Sequence, residues 1–379
     1  MINFVPLKRR LINFYINSRG WRTDRKIIVI ESDDWGSIRM PSKKVFDELL
    51  SRGLPVDKLS YLKYDSLESN ADLESLFDVL TSIKDNNGNY PVITANTIMT
   101  NPDFDKIRES GFRNYYYELF TETLRRYPEH DRVFNLYKKG IKQRIFYPQL
   151  HGLEHLNVNR WMRAIKNENS NPRVAFDYRF YDISVSHTTI TKDSFVDALN
   201  ASNTEELIEQ GSRLKLAFEL FNSVFGYSSI TFVAPCFIWR PELEFYLQDI
   251  GIKNIQSGTY QYIPLFGKLN NYRKKIHYTG EQNKFTQTYT VRNCFFEPSS
   301  NERRNVINKC LMQIETAFKN RKPAIISSHR LNFIGFLDKN NRNDNLDLLR
   351  ILLKKIRNKW ADVEFINSEE LARMIKNSV

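Results

Sequence analysis

The sequence is poor in the residues that mark several broad protein classes. It has only three cysteines, Cys236, Cys294 and Cys310, an odd number without metal-like spacing. That argues against a disulfide-built scaffold and favours a reducing compartment. With 14 glycines and 13 prolines in 379 residues, collagen-like and low-complexity chains are excluded. No run approaches the ~18 apolar residues of a membrane span. The apolar start (Ile2, Phe4, Val5, Leu7) is cut at once by Lys8-Arg9-Arg10, and no small-residue cleavage site follows, so it does not read as a signal peptide. The expected location is the cytoplasm. Acidic charge is also short: 44 Asp and Glu stand against 56 Lys and Arg, a formal net charge of +12.

Aromatic residues, by contrast, are plentiful. The 26 Phe, 19 Tyr and 5 Trp supply far more burial than a disordered chain needs. Length alone suggests two domains, but α/β barrels run past ~250 residues as one unit. The positive charge is uneven. Residues 1–26 hold seven basic residues and one acid, half of the whole excess. Within them Leu7, Leu11, Phe14 and Tyr15 follow helical spacing after Pro6. Residues 1–25 are expected to form a basic amphipathic helix, either docked on the main domain or in peripheral contact with an anionic membrane. Residues 26–379 are expected to form a single domain.

Strand and helix patterns alternate along that domain. Strands are expected at 26–30, 90–98, 145–150, 229–233, 252–256, 291–296, 324–327 and 363–366, with helices at 42–52, 71–86, 131–142, 157–167, 204–224, 241–250, 302–319 and 344–359. The stretches 100–128, 168–202 and 258–290 lack a clear period and read as insertions. Alternation of this kind implies parallel βαβ units, closed as a barrel or laid out as a wide sheet.

In parallel α/β folds the functional residues gather at the C-terminal ends of strands. Three expected strand ends carry unusual polar groups. Glu31-Ser32-Asp33-Asp34-Trp35-Gly36 follows the first strand, His151-Gly152-Leu153-Glu154-His155 the third, and Ser327-Ser328-His329-Arg330 comes late in the chain. Two histidines four residues apart lie on one face of a turn and suit a divalent metal. An aspartate and two histidines make three protein ligands and leave an open position for water. A second aspartate could take that water's proton, and a separate histidine could protonate a leaving amine or alkoxide.

These residues resemble the motifs of the polysaccharide deacetylases. The Asp-Asp pair, the His-x-x-x-His and the late aliphatic-x-x-x-His (Ile325 to His329) occur in that family's order, over roughly residues 26–370. The resemblance implies a distorted (β/α) barrel of about seven parallel strands, here with loop insertions, and a metal-dependent N- or O-deacetylase of an acetylated glycan or glycolipid. It makes Asp33 the base, Asp34, His151 and His155 the metal ligands and His329 the acid. The metal would be Zn2+ or another first-row divalent ion. Trp35, Trp239 and Asn332 lie near the motifs and are candidates for sugar contact; backbone N–H groups near Cys236 are candidates for holding an oxyanion.

The sequence departs from the family pattern at several points. Glu31-Ser32 replaces the usual Thr-Phe, and Gly152 the usual Ser or Thr. Val233-Ala234 precedes Pro235 where an arginine that orients the base is usual; Arg39, Arg240 and Arg330 are candidate substitutes. The motif that tunes the acid histidine is not identifiable around 249–258.

Three rival readings compete. His-x-x-Glu-His at 151–155 also spells an inverted zinc-protease motif, with Glu154 as base, if it lies within a helix. The missing arginine suits a glycan-binding homologue without turnover. Tyrosines and arginines at 113–127 could stack on and neutralise a nucleic acid, but no recognised motif accompanies them, so no nucleic-acid partner is expected.

Overall fold

The computed structural model describes residues 12, 14–183, 195–267, 271–300 and 305–378. Its first strand, β1 (Lys26–Trp35), runs five residues beyond the apolar segment that nucleates it. Strand alternation puts Ile28 and Ile30 on one face, in the largest apolar cluster, and Ile27 and Val29 on the other. The second face packs with Ile325 against Leu371 and Ile375 of the terminal helix Ser368–Asn377. Glu31 and Asp33 continue the alternation of Ile27 and Val29, so polar chemistry stands on the side that the terminal helix closes.

After β1 come β2 (Ile93–Ile98), the short antiparallel pair β3 (Thr100–Pro102) and β4 (Tyr117–Leu119), β5 (Phe146–Gly152) and β6 (Thr231–Val233). β7 (Asn254–Ser257) is followed by the antiparallel hairpin β8 (Tyr260–Pro264) and β9 (Tyr272–Ile276). β10 (Thr288–Val291), β11 (Cys294–Phe295), β12 (Ala324–His329) and β13 (Val363–Phe365) complete the set.

Nine strands form one sheet in the order β10-β7-β6-β5-β2-β1-β12-β11, with β13 also paired to β1. The pairings are parallel, and helices fill the crossovers. The expected distorted (β/α) barrel is thus present, with nine strands rather than about seven; the additions are the two-residue β11 and the three-residue β13.

The closure of this sheet decides the site. Its two end strands, β10 and β11, are separated in sequence only by Arg292 and Asn293. The amide of Arg292 donates to Ser257 O of β7 (2.9 Å), and that of Asn293 to Ile325 O of β12 (3.1 Å). Two residues therefore bridge the seam, and the single strand expected at 291–296 is in fact the ends of two strands.

The insertions also have structure. The stretch 100–128 contains the β3–β4 pair and the helices Phe104–Glu109 and Phe120–Arg126; 168–202 contains the helix Asn171–Asp177; and 258–290 contains the β8–β9 hairpin. Of the proposed N-terminal helix, residues 14–18 are helical, and residues 1–11 and 13 lie outside the described residues. Ile16 is buried, Tyr15 packs edge-on to Tyr278, and Lys322 Nζ donates to Trp21 O (2.7 Å). These contacts tie the segment to the barrel. Among the described residues no helix is long and apolar enough to cross a membrane.

Candidate active site

The register of the sheet places the first pair. β1 and β12 align Asp33 with His329, so two residues almost 300 positions apart in sequence are neighbours across one ladder. β1 then loses register with β2 between Ser32 and Trp35. Asp34 there adopts a left-handed conformation, φ 76°, which a β-carbon residue enters only at a cost of about 1–3 kcal/mol. The irregularity sends adjacent carboxylates in different directions: Asp33 toward β12 and the seam, Asp34 toward the end of β5.

At the end of β5, His151 is the penultimate strand residue and Gly152 the last. Gly152 has φ 128°, a conformation that side chains rarely adopt. This explains the departure from Ser or Thr: the chain must turn there to bring His155 back beside His151. The imidazoles stand 5.1 Å apart, centroid to centroid. Asp34 Oδ1 lies 3.2 Å from His155 Nε2 and 3.5 Å from His151 Nε2. All three residues are buried, and their ligand atoms lie within 4.8 Å of one another.

This cluster fits a metal ion for a reason internal to it. His151 Nδ1 lies 2.9 Å from Val233 O and must donate to it, leaving a bare Nε2 lone pair in the neutral ring. Burial lowers the pKa of His155 against the pull of Asp34. Burial would raise the pKa of Asp34, but His155, Arg39 and His151 outweigh it and hold the carboxyl well below its usual range. An anionic oxygen and an acceptor nitrogen thus face each other, and neither Asp34 Oδ1 nor His151 Nε2 has a hydrogen-bond partner among the described residues. Buried acceptors left in this state are costly, and a cation between them removes the cost.

Asp33, in contrast, is fully engaged. Arg292 clamps it with two hydrogen bonds, Nη1 to Oδ2 (2.6 Å) and Nη2 to Oδ1 (2.7 Å), and Asn96 adds a third to Oδ1 (2.7 Å). Burial pushes its pKa up, but the Arg292 guanidinium more than reverses this and holds the carboxyl far below its usual range. Nε of the same guanidinium donates to Glu31 Oε2 (2.7 Å), and Ser368 Oγ donates to Glu31 Oε1 (2.7 Å).

The arginine sought upstream of Pro235 therefore stands on the seam, at position 292. None of the three candidate substitutes does this work. Arg39 faces Asp34, Asp65 and Asp182; Arg240 bonds Pro264 O and Glu242; Arg330 pairs with Asp65 and Glu68. The clue available in the sequence was Glu31, a carboxylate on an apolar, doubly covered strand, which requires a buried cation.

His329 is also tuned by a residue that the motif reading missed. Its Nδ1 lies 2.6 Å from Glu297 Oε1, and its Nε2 is 3.8 Å from Asp33 Oδ2. Burial lowers the pKa of His329, but Glu297 and Asp33 override it and lift it to about 9. Glu297 is fixed in turn by Asn332 Nδ2 on its Oε2 (2.6 Å). Asn332 is thus a fully buried residue that orients Glu297, not a sugar contact.

The tryptophans are likewise core residues. Trp35 is 0% and Trp239 1% exposed; Trp35 donates to Ser32 Oγ and Trp239 to Glu244 Oε1. Neither ring offers a face to a ligand. Tyr61 stands in the position imagined for them, edge-on to His329 with a centroid distance of 5.2 Å. Cys236 is exposed and left-handed, φ 57°, in the turn Pro235–Phe237 after β6.

The protease reading fails on geometry. His151 lies in a strand, not a helix, and Glu154 is buried in an ion pair with Arg213.

Fold and site together define a distorted (β/α) barrel with a buried carboxylate–imidazole cluster at its strand ends. No family model matches the sequence, and no curated protein does. Among solved structures, the chain is similar to a probable polysaccharide deacetylase from Pseudomonas aeruginosa at 8% identity, covering 92% of this chain and 91% of that one, with a TM-score of 0.47. A putative polysaccharide deacetylase from Mycobacterium smegmatis matches at 10% identity over 95% and 94% of the two chains, TM-score 0.45. A 4-alpha-glucanotransferase from Thermococcus litoralis matches at 11% identity over 91% of this chain, which spans only 40% of that one, TM-score 0.43. Two of these neighbours thus carry the name of the family that the motifs resemble, and the third carries another.

Proposed function

We propose that this chain is a metal-dependent hydrolase that removes an acetyl group from a glycan or glycolipid. The observation that carries the proposal is the buried facing of Asp34 Oδ1 and His151 Nε2 without hydrogen-bond partners, beside an aspartate–histidine pair set by strand register. A divalent ion held by Asp34, His151 and His155, zinc being the best fit to two imidazoles and one carboxylate, would polarise the acyl carbonyl and acidify a water.

The chain's own groups supply the proton traffic. Asp33 Oδ1 is saturated by Arg292 and Asn96, whereas Oδ2 accepts one hydrogen bond and keeps a lone pair, so the proton of the attacking water goes to Oδ2. His329, protonated at neutral pH, donates to the departing nitrogen or oxygen. Glu297 holds that imidazolium in place, and the backbone N–H of Cys236 assists the oxyanion, since those of Phe237 and Ile238 are spent on Ala234 O and Pro235 O within the turn. Residues 26–379 act as one catalytic unit, and the basic N-terminal segment gives peripheral contact with an anionic surface.

The test is metal content together with acetate release from a panel of acetylated glycans. His151→Ala should lose both; full metal binding in that variant would overturn the ligand assignment. A second reading, glycan binding without turnover, draws on the heavily clamped Asp33. Glycan affinity without acetate release across the panel would select it.

A further inference from the structure

Resting on the metal reading above, we propose that Arg39 is a positioning residue that occupies one oxygen of Asp34 and so makes it a one-oxygen metal ligand. Asp34 Oδ2 faces Arg39 Nη2 at 3.4 Å, while Oδ1 faces the histidines. A carboxylate with both oxygens free could grip a cation with both. Here one is sealed by a guanidinium that is itself only 3% exposed.

Arg39 has no freedom to leave. Its Nη1 is held by Asp182 Oδ2 at 2.6 Å, and its Nε lies 3.5 Å from Asp65 Oδ2. Asp65 is shared with Arg330, which also pairs with Glu68. Behind the ligand cluster there are thus two guanidinium groups, Arg39 and Arg330, against four carboxylates, those of Asp34, Asp65, Glu68 and Asp182. With all of these ionised the group carries two negative charges, which one divalent cation at Asp34 neutralises. The network therefore favours a doubly charged guest and limits how Asp34 holds it. With Asp34 giving one oxygen and each histidine one nitrogen, coordination positions stay open for water and an acyl oxygen.

Co2+ is the probe, because its visible absorption weakens as coordination number rises. The wild-type chain should take up one Co2+ with an intense band. Arg39→Met should still bind Co2+, with band intensity reduced at least twofold as Asp34 closes on the ion with both oxygens; Arg39→Lys should restore most of it. A purely structural role would lower the melting temperature and leave the band unchanged. Where Arg39→Met does not fold, Asp182→Asn decides, since it frees the guanidinium from the rim and should move the band in the same direction by less. Folded variants that bind Co2+ with the wild-type spectrum overturn the role of Arg39 and leave the metal site standing. A wild-type chain that binds no Co2+ overturns the metal reading and this proposal with it.

Discussion

Asp33 and Asp34 are adjacent in sequence, buried alike and each faced by an arginine, yet their surroundings differ in kind. Arg292 meets Asp33 through a bidentate fork at 2.6 and 2.7 Å, and Asn96 completes the shell. Arg39 meets Asp34 at one oxygen and at 3.4 Å, and the other oxygen faces the Nε2 atoms of two imidazoles at 3.2 and 3.5 Å. The first carboxylate has both oxygens engaged, and the second has one oxygen on the guanidinium and one turned to the histidines. Adjacency in sequence says nothing of this division; a local loss of register and one left-handed residue create it.

The comparison can be broken most severely from the closed side. Arg292→Met leaves Glu31 and Asp33 buried without their cation, and loss of a buried pair's partner costs about 3–5 kcal/mol. Chemical denaturation should show that loss; a variant within 1 kcal/mol of wild type, roughly the effect of an ordinary substitution, would mean that the fork contributes little. On the open side, His151→Ala removes a proposed ligand that faces Asp34 Oδ1 at 3.5 Å. Metal affinity should fall by more than the ~10–100-fold typical of losing an outer-shell partner, beyond the loss of stability that the cavity and the unpaired Val233 O cause in the metal-free protein. Calorimetric titration and unfolding of the metal-free variant would separate the two effects.

A gentler change acts on His329, the proposed proton donor. His329 is lifted to about 9 by Glu297 and Asp33, so its protonated form predominates through neutral pH. Glu297→Gln should drop it toward the ordinary ~6.5, moving the alkaline limb of acetate release down by about two pH units. The sign for stability follows from linkage. A folded pKa above the unfolded one contributes stability that is fully present below about 6.5 and is lost as pH rises through about 9. The wild-type advantage over Glu297→Gln should therefore shrink across that window, and a constant difference from pH 5 to 10 would refute the coupling. The smallest catalytic effect is expected at Glu154→Gln, which touches neither half. Acetate release should stay within about twofold of wild type, whereas a protease base at this position would lose two orders of magnitude or more.

Much of the fold was legible because burial on both faces leaves a simple mark. Ile27-Ile28-Val29-Ile30 and Ala324-Ile325-Ile326 read as covered strands, and they pair side by side as buried strands of the sheet. The three motifs stood out because Asp, His and Glu are expensive at strand ends unless they are used. Trp35 and Trp239 misled because proximity to a motif in sequence carries no information about which way a ring faces. Arg292 and Glu297 escaped because each belongs to no local pattern. Arg292 sits on a seam that exists only once β10 and β11 have found opposite ends of the sheet, and Glu297 reaches His329 only because β11 pairs with β12.

The sequence by itself determined the alternation of strands and helices and singled out the aspartates and histidines that meet at the strand ends. Hydrophobic periodicity and ligand chemistry are properties of short segments. The tertiary structure alone decided which arginine serves which aspartate, which carboxylate lifts His329, and which aromatic ring borders the site. Those are pairings between residues far apart in the chain, and their energy depends on distance and burial that only the closed sheet supplies.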